Sequence, residues 1–114
     1  GIEASVLPSY PGHRFALYVE RAVSRDLDTG IAISREGTDP VLLELYDEKG
    51  VLQETREFSF EVGGLQQAVF LSESFSLPAE FQGLLIARSS GAFTAVGLRF
   101  GGSILSTIPV SRLE

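Results

Sequence analysis

Short stretches in which apolar and polar residues alternate recur along the whole chain, separated by clusters of Gly, Pro and Asp. A period of two marks a half-buried strand, because successive side chains on a strand point to opposite faces. On this pattern the sequence predicts strands at about Phe15 to Val23, Gly30 to Ser34, Val41 to Tyr46, Leu52 to Val62, Gln66 to Phe70, Gly83 to Ser89, Phe93 to Phe100 and Ile104 to Val110. Helical spacing never persists over the roughly 11 residues that would define it, so one turn near Ser72 to Phe75 is the only helix expected.

The same alternation assigns faces. Val41, Leu43 and Leu45 form one apolar row with Glu44 opposite, and Phe15, Leu17 and Val19 do the same against Glu20. Phe58, Phe60 and Val62 line one side of a strand whose other side carries Glu57, Ser59 and Glu61. Leu84 to Ala87 is apolar on both sides, which predicts a central or doubly covered strand. The expected core is Leu17, Ile31, Ile33, Leu43, Leu45, Phe58, Phe60, Ile86, Val96 and Leu98.

Asp47-Glu48-Lys49-Gly50 and Gly101-Gly102-Ser103 have the composition of hairpin turns, with glycine to supply a left-handed residue. Pro40 stands at a strand entry, where its missing N–H costs least, and Gly63-Gly64 breaks the ladder after Val62. These features predict an all-β domain, a two-sheet antiparallel β-sandwich of immunoglobulin-like type with seven to eight strands. Residues 1–12 read as an N-terminal arm or linker and residues 13–114 as the sandwich. Within the arm, Ile2 to Leu7 alternates like a strand before Pro8 and Pro11. It is expected to pair with a sheet edge, of its own chain or of a neighbouring copy. Phe75, Leu77 and Phe81 are expected to plug one end of the sandwich, where the chain changes sheet.

Composition narrows the function. A chain of 114 residues supports one core, and 44% hydrophobic with 21% charged residues is an ordinary globular balance. Eight Phe against three Tyr and no Trp put most aromatic mass into burial. A net charge of −6 makes nucleic acid an unfavourable partner. Apolar runs such as Leu84 to Ala87 fall far short of the roughly 20 residues of a membrane helix. The absence of Cys excludes disulfides, thiolate metal sites and Cys nucleophiles, and suits either redox compartment. With no initiator Met and no charged-then-apolar leader, the chain reads as a mature or excised piece whose targeting signal lies elsewhere.

Candidate chemistry is sparse. A Ser triad needs a base, and the only His is His13, in the Pro-Gly-rich entry segment. The only Lys is Lys49, on a hairpin turn, so a Ser-Lys dyad or a phosphate loop lacks its cation. Glu57 with Glu61, or Asp26 with Asp28, could form carboxylate pairs, but the first pair lies on a solvated strand face. The second lies in a turn, and calcium takes six or more oxygens. Arg residues interleaved with acids, as in Glu54, Arg56 and Glu57 or in Glu20 and Arg21, read as exposed cross-strand pairs that discourage edge pairing. No catalytic residue, metal ligand or cofactor is expected. Tyr10, Tyr18 and Tyr46 are the residues that could offer ring faces to a sugar.

Thr29 to Ser34 followed by Gly37 and Pro40, then Leu43-Glu44-Leu45-Tyr46-Asp47 with Gly50 in the next turn, resembles a bacterial β-sandwich repeat of exported proteins, often found in tandem. The resemblance continues through Phe70 to Phe75, Phe81-Gln82-Gly83, Val96 to Phe100 and Ser106 to Val110, and so spans about Phe15 to Val110. The family usually has Asn-Pro-Gly where this chain has Arg35-Glu36-Gly37. The resemblance implies an exported, extracellular or cell-surface module in a multi-domain protein, with turn and core positions rather than catalytic ones in its motifs. The expected function is a structural or interaction unit, a spacer or adhesion module whose partners are neighbouring domains or copies of itself. The alternative is a carbohydrate-binding module that takes a surface glycan.

Overall fold

The computed structural model describes residues 10–113; the expected arm strand Ile2 to Leu7 lies outside the described residues. Among the described residues eight strands carry the fold: β1 (Gly12–Ala22), β2 (Leu27–Arg35), β3 (Val41–Asp47), β4 (Leu52–Glu57), β5 (Gln66–Phe70), β6 (Glu80–Gly101), β7 (Ile104–Ile108) and β8 (Ser111–Arg112). A short α-helix, α1 (Leu71–Ser74), follows β5, and a 3-10 turn, Val23–Arg25, follows β1. All pairings are antiparallel, in the order β4-β3-β6-β1-β2-β5, with β7 on β6 and β8 on β1.

The two strands expected at Gly83 to Ser89 and Phe93 to Phe100 are one strand, β6, of 22 residues. Its first half runs between β1 and β3 and its second half between β2 and β7. Straight, 22 residues would reach about 70 Å, yet the longest dimension of the molecule is 38 Å. The strand therefore bends sharply. The register records where: β1 moves from Arg14 to Gly12 while β6 moves from Arg88 to Phe93, a bulge that gathers Ser89, Ser90, Gly91 and Ala92 into the bend. In place of two separate sheets, the strands form one sheet curled about β6 into a half-barrel.

The inner face of that curl is the core: Phe15, Leu17 and Val19 of β1, Ile31 and Ile33 of β2, Val41, Leu43 and Leu45 of β3, Leu85, Ala87, Phe93 and Ala95 of β6, with Phe58, Leu71 and Phe75 from the connections. Three expected core residues sit elsewhere. The expected Leu52 to Val62 strand ends at Glu57, so Phe58 turns inward while Phe60 only packs against the core and Val62 is exposed. Val96 and Leu98 are half-buried on the opposite face, because Phe93, Ala95 and Gly97 point inward. Gly97 has no side chain, but a Cβ there would lie 2.6 Å from Leu17 Cδ1 and 2.5 Å from Ile108 Cγ1. Its neighbours already fill that space. Ile86 is buried, at 6% exposure, but alternation with Leu85 and Ala87 puts it on the outer face.

Turn chemistry follows the sequence. Gly50 ends the β3–β4 turn with a φ of 80° and Gly102 sits at 63° before β7. Asp47 organises the first of these turns: Oδ1 accepts the backbone N–H groups of Lys49 and Val51, both at 2.9 Å. The connection from β5 to β6 starts with α1, whose entry is fixed by the Phe70 N–H donating to Glu73 Oε1 at 2.8 Å. Phe75 is buried beyond it, and Leu77 and Phe81 pack against the core.

Candidate functional site

The outer face of β1, β6 and β3 carries the most distinctive surface. Tyr18 of β1 and Tyr46 of β3 both register with Leu84 of β6, so the three side chains form one row across three strands. Tyr18 is 54% and Leu84 39% exposed. β4 extends the row, since Leu52 registers with Tyr46 and is also exposed. One step along the strands, Ile86 lies between Ala16 and Glu44, and one step further Arg88 lies between Arg14 and Leu42. A shallow groove of about 490 Å³ runs over this face, floored by Gly83, Leu84 and Ile86 and bounded by Tyr18, Tyr46, Arg14 and the turn residues Asp47, Glu48 and Gly50.

Charge is divided along the groove. Arg14 and Arg88 stand at one end, with Glu44 reaching Arg88 at 3.4 Å. Asp47 and Glu48 stand at the other end. Both Asp47 oxygens are engaged, because Oδ2 also accepts from Gln53 Nε2 at 3.1 Å, so Asp47 shapes the rim. The groove thus presents two phenol rings and an aliphatic floor between ends of opposite sign. A flat apolar segment can lie on it while polar groups bond at its ends.

The other residues singled out by sequence are dispersed. Tyr10 precedes β1, is 70% exposed and does not line the groove. His13 is exposed on β1 and Lys49 is exposed on the β3–β4 turn. Asp26 takes a left-handed conformation, with a φ of 50°, after the 3-10 turn Val23–Arg25, and its carbonyl accepts the Gly102 N–H at 3.2 Å. Asp28 belongs to β2: Oδ1 accepts the Thr29 N–H at 2.9 Å and Oδ2 accepts the Ser72 hydroxyl at 2.7 Å, tying β2 to α1. Glu57 ends β4 and Glu61 lies in the following turn, so they share no strand face. Among the described residues, no three His, Asp or Glu side chains converge as a metal site.

Alternation alone places Tyr18 and Tyr46 on outward positions. Their convergence on Leu84, and the part played by Gly83, Ile86 and Arg14, depend on the register of three strands distant in sequence. Comparison with protein families, with curated proteins and with solved structures finds no match to the chain.

Proposed function

We propose that this chain is a non-catalytic interaction module, a spacer or adhesion unit of a larger exported bacterial protein, working outside the cell or at its surface. On this reading the two halves of the curled sheet act as the two layers of an immunoglobulin-like sandwich, and the outer face of β1-β6-β3 meets the partner. The observation that carries it is the Tyr18–Leu84–Tyr46 row. A solvent face of a sheet ordinarily bears charged and small polar residues, whereas contiguous exposed apolar surface rimmed by polar groups marks interaction sites. Many polar side chains outside the groove serve the fold, as Asp28 does with Ser72 and Arg35 with Gly64. The resemblance to tandem repeats of exported proteins supports neighbouring domains as partners.

The test is a titration of the domain with the flanking domains of its full-length protein, read at the tyrosine ring signals by NMR. Movement of the Tyr18 and Tyr46 signals, together with loss of co-sedimentation with the flanking domains in a Tyr18→Ser, Tyr46→Ser variant of unchanged melting temperature, supports the reading. Binding that leaves both rings unmoved defeats this face as the contact.

A carbohydrate-binding module is the second reading, favoured by the spacing of the two rings. Tyr18 and Tyr46 are two strands apart, about 10 Å between backbones, so their rings can stack on successive sugar units while Arg14 and Glu48 bond hydroxyls at the ends. A glycan array decides it: retention of a glycan that is lost in the double variant supports it, and a blank array removes it.

A further inference from the structure

We propose that the open edge of β5 is a self-association site, where a second copy of this chain adds its own β5 antiparallel, with the two-fold axis passing at Ala68. This surface lies on the other half of the curled sheet from the tyrosine groove, and the inference is independent of what that groove takes.

Among the described residues β5 pairs only with β2 and stands last in the strand order. An edge strand offers its free N–H and C=O groups to any matching strand unless charge, proline or a cover blocks it. The edge strand β4 is blocked. Glu54 and Arg56 register with the inward residues Leu45 and Leu43, form an ion pair at 2.7 Å, and Glu54 also accepts the Ser76 N–H at 2.9 Å. β1 carries Arg14, Glu20 and Arg21 and is covered in part by β8, which itself carries Arg112. β7 stops at Pro109, which has no N–H to give.

Among the described residues β5 carries no charge, proline or covering strand of its own; its outward Phe70 N–H is held by Glu73 Oε1 and its Ala68 carbonyl by Gln67 Nε2 at 3.4 Å, two side-chain bonds that an added strand would replace. From Gly63 to Ser72 the chain contains no charged residue and no proline, and acids stand only outside, at Glu61 and Glu73. An edge strand without charge or proline is open to the addition of a second strand. The sheet face beside it is also uncharged. Gln66, Ala68, Ser34, Ala32, Thr94 and Val96 line a shallow depression of about 540 Å³ there, together with Ile33 and Gln67.

The register suits a second copy. Antiparallel pairing about Ala68 sets Gln66 against Phe70 of the second copy and Gln67 against Val69 of the second copy. Even positions then oppose even positions, so the two outer faces join into one surface and the two inward rows stay inward. Neither Glu61 nor Glu73 falls opposite an acid. This matters because each chain carries −6, and a contact between like-charged copies must form where neither brings a charge.

Sedimentation equilibrium of the wild-type chain, up to about millimolar concentration for so small an interface, should show a dimer whose fraction rises with concentration. The dimer should strengthen with added salt as the net charges are screened. Ala68 is exposed, so Ala68→Lys and Ala68→Glu should each keep the wild-type circular dichroism and melting temperature. Each alone should weaken the dimer at least tenfold, because like charges meet at the axis. An equimolar mixture of the two should recover it, and Thr107→Lys on β7 should leave it unchanged. A monomer at every concentration, a dimer weakened by salt, a dimer indifferent to Ala68→Lys, or a failure of the mixture to recover association would each overturn the proposal.

Discussion

Thr29 clasps Glu20 by both of its backbone groups: the Thr29 hydroxyl donates to the Glu20 carbonyl at 2.7 Å and accepts from the Glu20 N–H at 3.0 Å. Thr29 is the one buried polar side chain among the described residues, and it sits on β2 while Glu20 sits on β1. These strands register directly only at Ala22 and Leu27, so the hydroxyl continues the link where the ladder stops. Thr29→Val keeps the shape and removes both bonds, stranding a donor and an acceptor. We expect a loss of about 2 kcal/mol in urea unfolding, within the cost of unsatisfied buried polar groups. A loss near zero would mean that water replaces the clasp.

Phe58 and Phe60 should separate in a stability assay. Their rings meet edge to face with centroids 4.9 Å apart, but only Phe58 is buried in the core. Phe58→Ala should cost about 3–5 kcal/mol, as full aromatic truncation in a core does, and Phe60→Ala about half of that. Equal losses would show that the 58–65 connection is packed as tightly as the strands.

Arg35 holds that connection from above. Its guanidinium carbon lies 3.6 Å from the centre of the Phe60 ring, Nε and Nη2 donate to the Gly64 carbonyl, and Nη1 donates to the Asp39 carbonyl at 3.0 Å. A lysine has neither the planar face nor the fork to make these contacts together. Arg35→Lys should cost about 1 kcal/mol and speed amide exchange across residues 58–65. Exchange that rises uniformly over the whole chain instead would assign Arg35 a global role.

The strand pattern was legible because each strand buries one face, and the period of two is then written in its residues. Gln66 to Phe70 is found with the expected bounds, and Val41 to Tyr46 within one residue. What the pattern hid are features set by contacts between distant segments. Ser89-Ser90-Gly91 reads as a break between two strands, yet the backbone continues through a bend because β1 and β2 both pair at Phe93. Val96 and Leu98 look like core residues beside a glycine, but Gly97 faces inward because Leu17 and Ile108 occupy the place of a side chain. The tyrosine groove needs residues 18, 46 and 84 in one register, which local sequence does not specify.

Gly97 should therefore reject even a methyl group. An added Cβ would meet side-chain atoms of Leu17 and Ile108, and also the Ile108 carbonyl oxygen at 2.9 Å, which belongs to the paired backbone of β7. Gly97→Ala should cost about 1–3 kcal/mol, the usual penalty of overpacking a dense core. Leu17→Ala in the same chain opens one of the two side-chain contacts and should recover part of the loss relative to the sum of the single variants. Strict additivity would refute the crowding.

Phe75 is buried in the core where the chain leaves β5 through α1 and returns as β6. It is buried at 4% exposure, its N–H donates to the Leu71 carbonyl at 2.8 Å, and the next residue is held by Glu54. The connection also ties into the 3-10 turn after β1, since the Val23 N–H donates to the Ala79 carbonyl at 2.9 Å and Arg21 Nη1 donates to the Leu77 carbonyl at 3.0 Å. With these backbone anchors in place, Phe75→Ala leaves a cavity that the segment is poorly able to collapse into, and about 3–5 kcal/mol should be lost. Phe75→Asp adds an unpaired buried charge and should lower the melting temperature further, to the point of unfolding in a domain of ordinary stability. Phe75→Leu, which keeps most of the apolar volume, should retain the fold with a smaller loss. Should Phe75→Asp melt like the wild type, the ring would have to leave the core at little cost, and 71–81 would be an exposed loop instead of a plug.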